Sequence, residues 1–309
     1  MKLAIVFPGQ GSQKVGMMAG FADSAIVRDT FRQAQAALGQ DLWQLTEAGP
    51  AEDLNATVNT QPVMLTAAYA MYRAWQEAGG PAPAVVAGHS LGEYTALTAA
   101  GALAFADAVP LVRFRAQAMQ EAVPIGTGAM AVIMGMEADK VHAVCVEAAQ
   151  GQVVEAVNFN DQAQIVIAGH KDAVERACVA AKAAGAKRAL PLPVSAPFHS
   201  SLLKPAADRL REKLSSVQIN APAVPVIHNF DVATHATPAE IREVLAQQAS
   251  NPVRWVETVQ KMAAEGVTHA VEIGPGKVLQ GLIKRIAPDI QALAVTDAAS
   301  LAATLESLK

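Results

Sequence analysis

Residues 82–103, APAVVAGHSLGEYTALTAAGAL, decide how this chain is read. The first six, APAVVA, form a short apolar run of strand length. The residues from Leu91 onward read as a helix. Between them lies Gly88-His89-Ser90-Leu91-Gly92, a G-x-S-x-G pattern. A strand that turns sharply into a helix needs small residues on both sides of the turn, because bulk there strikes neighbouring elements. The turn sets Ser90 at a helix N-terminus, where backbone N–H groups and the helix dipole favour developing negative charge. The stretch therefore predicts an α/β fold that presents a nucleophilic serine. The plainer alternative is a capping serine in a tight turn.

The same alternation extends in both directions. LAIVF at 3–7 predicts a buried strand, ended by PGQGSQ. Helices are expected around 23–38 and 61–78, and another over 105–123, with Asp107 near its start. Residues 126–195 read differently. GAMAVIMGM is a strand and EADKVHAVCVEAA a helix. QVVEAVNFN and QIVIAGH are strands joined by DQA. KDAVERACVAAKAAG is a helix and AKRALPLPV a strand. That β-α-β-β-α-β order predicts a ferredoxin-like unit inserted into a larger body. After it, VPVIHNF reads as a strand, TPAEIREVLAQQAS as a helix, THAVEIGPGKVLQGLIKRI as strand, turn and helix, and QALAV as a last strand. The expected architecture is thus a large α/β domain with a mostly parallel sheet, residues 1–125 and 196–309, carrying a small domain at 126–195.

Composition narrows the function classes. The chain has 309 residues, is 52% hydrophobic and 17% charged, and carries a net charge of −4. That supports a sizeable core and argues against broad nucleic-acid binding. Cys145 and Cys178 lie far apart and read as small buried hydrophobes, with no metal cluster around them. The apolar run before Pro8 is too short for a signal peptide, and no run approaches a membrane span, so a cytoplasmic protein is expected. GPGKV is not a P-loop, because Val271 and Val278 break the spacing. GQGSQK is not a dinucleotide fingerprint, because Lys14 replaces the third glycine.

A serine nucleophile needs a base. Of seven histidines, His89 sits inside the turn and is expected to point away from Ser90, while His142 and His170 are expected at the surface of the small domain. His199, in APFHSSLL, lies where the chain returns from the insertion. Loops at element ends are where catalytic groups are usually mounted. Spacing makes His199 a favourite over His228 and His269. A second clue lies in the helix at 105–123. On a helical wheel Ala108, Leu111, Val112, Met119 and Ala122 share one side, and Arg115 falls in the middle of that stripe, with Arg113 opposite. A guanidinium on a buried face needs an anion. A substrate carboxylate and an internal Asp or Glu serve equally well.

Five motifs, FPGQGSQKVGM, GHSLGEYTAL, APFHSSLL, NPVRW and EIGPGKVLQGLIKRI, occur in this order along essentially the whole chain. Together they closely resemble the malonyl-CoA:acyl-carrier-protein transacylases of bacterial type II fatty acid synthesis. The resemblance implies an α/β-hydrolase-like body with a ferredoxin-like insert. It implies Ser90 as the residue that carries the malonyl ester and His199 as its base. Backbone N–H groups of Gln10 and Leu91 would form the oxyanion hole, and Arg115 would hold the malonyl carboxylate. Gln61, Met119 and Gln248 match positions lining the site. The main-chain carbonyl near Gln248, rather than a buried acid, would orient the histidine. No bound cofactor or metal is implied. The substrates it implies are malonyl-CoA and the phosphopantetheine thiol of acyl carrier protein, with a monomer expected and no nucleic-acid or membrane partner. Phe198, before His199, would crowd an α-methyl branch and favour malonyl over methylmalonyl. Lys187, Arg188, Lys284 and Arg285 are candidates for steering an acidic carrier protein, with ordinary surface charge the alternative. The rival readings are a serine esterase, a non-catalytic carrier-binding module, and the same chemistry on a polyketide or malonate-decarboxylase carrier.

Overall fold

The computed structural model describes residues 1–194 and 196–309. Ser195, the last residue of the expected insert, lies outside the described residues. The chain opens with β1 (Leu3–Phe7), then α1 (Ala25–Leu38), α2 (Leu42–Ala48), α3 (Ala51–Asn55) and α4 (Thr57–Glu77). β2 (Val85–Gly88) leads into α5 (Gly92–Ala99) and α6 (Phe105–Gln120). Next come β3 (Gly128–Met134), α7 (Ala138–Ala149), β4 (Val154–Asp161), β5 (Gln164–His170), α8 (Lys171–Ala183) and β6 (Arg188–Pro191). The remainder is α9 (Lys204–Ser215), β7 (Val226–Ile227), α10 (Pro238–Gln248), α11 (Trp255–Ala264), β8 (His269–Ile273), α12 (Val278–Ile286), β9 (Gln291–Val295) and α13 (Ala298–Ser307).

The strands form two sheets. The first has the order β7-β2-β1-β8-β9, with every pairing parallel. β1 and β2 are apolar throughout because both faces are covered, whereas β8 carries a buried Glu272. Along β1, Leu3, Ile5 and Phe7 face the core built with α1, α4, α5 and α6, while Ala4 and Val6 face the core built with α11 and α12. Phe7 lies opposite Gly88, so β1 and β2 end side by side. The turns that follow them, at 8–12 and 89–91, meet at the carboxyl edge of the sheet, where parallel α/β sheets bind ligands.

The second sheet, β4-β5-β3-β6, is antiparallel throughout. Ala131, Ile133, Ile165 and Ile167 pack under α7 and α8. Met130, Val157, Val166 and Ala168 line the opposite face, with Leu192, Val194 and Phe198 packed against them. The two sheets are tied by main-chain bonds: Phe159 N–H donates to Val253 O at 3.0 Å, and Val253 N–H donates to Val157 O at 2.8 Å.

Several expected elements change their bounds. The helix expected from 61 begins at Thr57, so Pro62 falls in its second turn, where it removes one i→i−4 hydrogen bond. The strand expected over 224–230 shrinks to two residues, because His228 and Asn229 turn inward to polar partners. β6 stops at Pro191; Leu192 N–H still donates to Met130 O at 2.9 Å, but Val194 N–H turns to Leu192 O at 2.8 Å and leaves the ladder. Among the described residues no helix is long and apolar enough to cross a membrane.

Candidate active site

The turn after β2 is as tight as its glycines require. A Cβ on Gly88 would lie 1.9 Å from the carbonyl carbon of Gly92, and one on Gly92 would lie 2.1 Å from Phe7 O. Ser90 takes a left-handed backbone, φ 51°, between β2 and α5. That conformation is strained for a residue with a side chain and is held by neighbours. Ser90 N–H donates to Asn229 Oδ1 at 2.7 Å, and Ser90 O accepts from Gln248 Nε2 at 2.9 Å. The Ser90 amide is therefore already engaged. The backbone N–H groups of Gln10 and Leu91 have no partner among the described residues. Both residues line a cavity of about 120 Å³ that also holds Ser90, Gln61, Arg115, Met119, Phe198 and His199.

His199 occupies the turn before α9 and is only 3% exposed. Its Nε2 lies 2.7 Å from Ser90 Oγ, and its Nδ1 lies 2.8 Å from Gln248 O. A carbonyl oxygen only accepts, so Nδ1 carries the proton and the Nε2 lone pair faces the serine. Burial, then the positive charge of Arg115, hold the imidazole pKa down at about 3. The ring is a neutral base throughout the ordinary pH range. His228 instead bonds Glu93, and His269 lies on β8 beside Thr268. His170 accepts from Val153 N–H within the small sheet.

His89 differs from expectation. Rather than pointing away, it lines the same cavity and donates from Nε2 to Asn160 Oδ1 at 2.8 Å. Asn160 lies on β4, so this bond links the serine turn to the second sheet. Burial pushes the His89 pKa down.

Arg115 is 1% exposed on the buried stripe of α6. One terminal nitrogen donates to Gln61 Oε1 at 2.8 Å. The other donates to Gln248 Oε1 at 2.9 Å and to Ser90 Oγ at 3.1 Å. Its Nε has no partner, and the Tyr94 ring lies 5.3 Å from the guanidinium carbon. Among the described residues no carboxylate stands within 4.0 Å of it. The alternative of a direct internal salt bridge is therefore not realised. Arg113, expected on the exposed side, is half-buried and donates to Gln40 Oε1.

The polar floor of the site was not legible beforehand. Glu93 and Asn229 are fully buried beneath Ser90. Asn229 Nδ2 donates to Gly88 O at 2.7 Å, so one side chain clamps the turn at two points. The available signal was a polar His228-Asn229 pair inside the apolar run VPVIHNF. Phe198 packs on Ala118 and Met119 and closes one wall of the cavity. A larger cleft of about 920 Å³ lies on the other side of His199, between α7, β4 and α9, but neither Ser90 nor Arg115 lines it. Lys187, Arg188 and Arg285 gather around one hollow at the end of the second sheet. Lys284 is exposed on α12 outside it, and Arg285 is paired with Asp161 at 2.7 Å.

The family model described as an acyl transferase domain matches residues 4–302. The malonyl CoA-acyl carrier protein transacylase of Escherichia coli K12 is 58% identical over 306 residues, covering 99% of each chain. The Bacillus subtilis protein of the same name is 45% identical over 310 residues, covering 100% of this chain and 98% of that one. Among solved structures, an acyl-carrier-protein S-malonyltransferase from Burkholderia pseudomallei is 64% identical with a TM-score of 0.98, covering 99% of this chain and 100% of its own. A malonyl-transacylase solved in complex with its type II PKS acyl-carrier protein is 52% identical with a TM-score of 0.98, covering 99% of this chain and 100% of that one.

Proposed function

This chain belongs to the acyl transferase family, and from that premise we propose that it moves the malonyl group of malonyl-CoA to the phosphopantetheine thiol of an acyl carrier protein, through an ester on Ser90, in support of fatty acid synthesis. The observation that carries the reading is Arg115. It is a buried guanidinium with only neutral oxygen acceptors, 3.1 Å from Ser90 Oγ. A carboxylate on the acyl group would exchange with those neutral oxygens and form a stronger, charge-assisted pair. A plain esterase has no use for it.

In the first half-reaction Ser90 Oγ gives its proton to His199 Nε2 and attacks the thioester carbon. The carbonyl oxygen becomes an oxyanion that the N–H groups of Gln10 and Leu91 receive. The C–S bond then breaks, the sulfur takes the proton from His199, and CoA leaves. In the second half-reaction His199 takes the proton of the carrier thiol, and the thiolate attacks the serine ester. The C–O bond breaks and Ser90 recovers its proton. Gln248 O holds His199 in the required tautomer without a buried acid. Phe198 beside the acyl position favours malonyl over methylmalonyl, a preference of about 1–3 kcal/mol for one methyl against a wall.

The strand order of the second sheet supports the finer description of the fold: an α/β-hydrolase-like body, 1–125 and 196–309, carrying a ferredoxin-like unit at 126–195. Ser90, His199 and Arg115 meet without a second subunit, so a monomer suffices as the working unit. The related complex with a polyketide carrier favours a second reading, in which the same chemistry serves a polyketide carrier protein. Intact-protein mass spectrometry after brief mixing with malonyl-CoA tests the proposal. Wild type is expected to gain one malonyl group, Ser90→Ala none, and Arg115→Ala little malonyl but undiminished acetyl from acetyl-CoA. An Arg115→Ala protein that still prefers malonyl overturns the assignment of Arg115.

A further inference from the structure

Glu93 lies in the first turn of α5 and is fully buried, yet it touches no reacting atom. Its Oε1 accepts from His228 Nδ1 at 2.7 Å. Its Oε2 accepts from Asn229 N–H and from Gln248 Nε2, each at 2.9 Å. Gln248 continues the line, because its Oε1 accepts from Arg115 at 2.9 Å. The two groups facing Gln248 Nε2, Glu93 Oε2 and Ser90 O, only accept, and Arg115 only donates. The amide therefore has one orientation, with its donor end on the carboxylate and its acceptor end on the guanidinium.

A lone charge in such surroundings is costly, whichever its sign. Here a buried carboxylate and a buried guanidinium are joined by one amide, so the two charges offset each other. Burial pushes the Arg115 pKa down, and Tyr94 and Glu93 oppose that. We propose that Glu93 is the fixed counter-charge of Arg115, acting through the Gln248 amide, so that the guanidinium stays charged and buried while keeping its donors exchangeable for a substrate carboxylate. A direct Glu–Arg pair would occupy those donors. Glu93 is thus a positioning and specificity residue rather than a catalytic one. The part that concerns the acyl carboxylate rests on the reading of Arg115 given above; the charge coupling does not.

Glu93→Gln tests this with little change of shape. His228 Nε2 is buried without a partner. The His228 proton can move from Nδ1 to Nε2, leaving Nδ1 to accept from the new amide with no bond lost. Stability is measured by urea unfolding for wild type, Glu93→Gln, Arg115→Gln and the double variant. Each single variant is expected to be destabilised, and the double to be more stable than the sum of the two effects. Should the singles not fold, the double is expected to be recovered folded. Strict additivity, or a double no better than the worse single, overturns the proposal. The second readout is calorimetric titration with free malonate. Removing the carboxylate charge is expected to tighten malonate binding about 5- to 20-fold, the size of one buried like charge removed one amide away at moderate effective dielectric. A merely structural role would weaken binding, and unchanged or weaker binding in folded Glu93→Gln overturns the proposal. Wild type that does not bind malonate would refute the carboxylate reading of Arg115, while the stability cycle would still judge Glu93.

Discussion

In the mechanism proposed above His199 is the base, and its proton affinity is set by its neighbours. Burial lowers it first and the adjacent Arg115 charge lowers it further, to about 3. The protonated, inactive form is thus disfavoured, and lowering the pH from 8 to 5 should leave the acylation rate limited by something other than this imidazole. Removing the guanidinium takes away the second cause, so the pKa must rise toward the ordinary histidine range. The pH profile of acylation by acetyl-CoA, which has no carboxylate to lose, checks the sign. Arg115→Ala is expected to develop an acid limb at higher pH than wild type. Superimposable profiles would show that the Arg115 charge does not reach the base. The same residue illustrates why the base was legible only as a favourite. His199 Nε2 and Ser90 Oγ are 109 residues apart along the chain and 2.7 Å apart in space, and no spacing rule joins them.

The serine turn is an element-scale device. β1, β2 and α5 approach so closely that neither Gly88 nor Gly92 has room for one carbon. Gly92→Ala would push against Phe7 O, a backbone atom that no rotamer change can move. Its cost is expected at about 3 kcal/mol or more, at the upper end for overpacking. In thermal unfolding that appears as a fall in Tm of about 6 °C or more. Gly281→Ala is the control, because it sits inside α12 with only the tip of Arg285 within 4 Å of an added carbon. It is expected to stabilise by about 1 kcal/mol through helix propensity alone. A Gly92→Ala protein as stable as wild type would mean that α5 can shift, and that the turn does not depend on this contact.

At the scale of the whole molecule, the second sheet supplies one wall of the cavity through Met130 and Asn158, with Leu192 and Val194 from the segment after β6. It is fastened by the Phe159–Val253 and Val253–Val157 main-chain bonds, by His89–Asn160 and by Arg285–Asp161. Arg285 therefore has a structural duty besides any role toward a carrier protein. Lys187, Arg188 and Lys284 make no ion pair among the described residues and are the cleaner probes of long-range steering. Reversing those three charges is expected to raise KM for an acidic carrier protein about five-fold or more at low salt, with the difference fading as salt screens it. KM for malonyl-CoA should be unchanged. Equal carrier kinetics before and after reversal would remove this surface from consideration.

The sequence by itself determined the alternation of elements, the small-residue turn around Ser90, and the anomaly of a charge at Arg115. These are local facts: strand and helix periods, glycine spacing and one side of a helix are written in adjacent residues. It left helices α2, α3, α11 and α13 unread; the first two are too short to carry a periodic signal. It also read 224–230 as a plain strand, whereas His228 and Asn229 leave the sheet to meet Glu93 and Gly88. Only the tertiary structure decided that His199, and not His228 or His269, meets Ser90, that His89 lines the cavity, and that Arg115 meets neutral amides instead of a carboxylate. Those outcomes depend on which side chains become neighbours once α4, α6, α10 and the two sheets pack together. The energy of a buried charge or hydrogen bond depends on partners at a few ångströms, and the order of residues along the chain does not fix who those partners are.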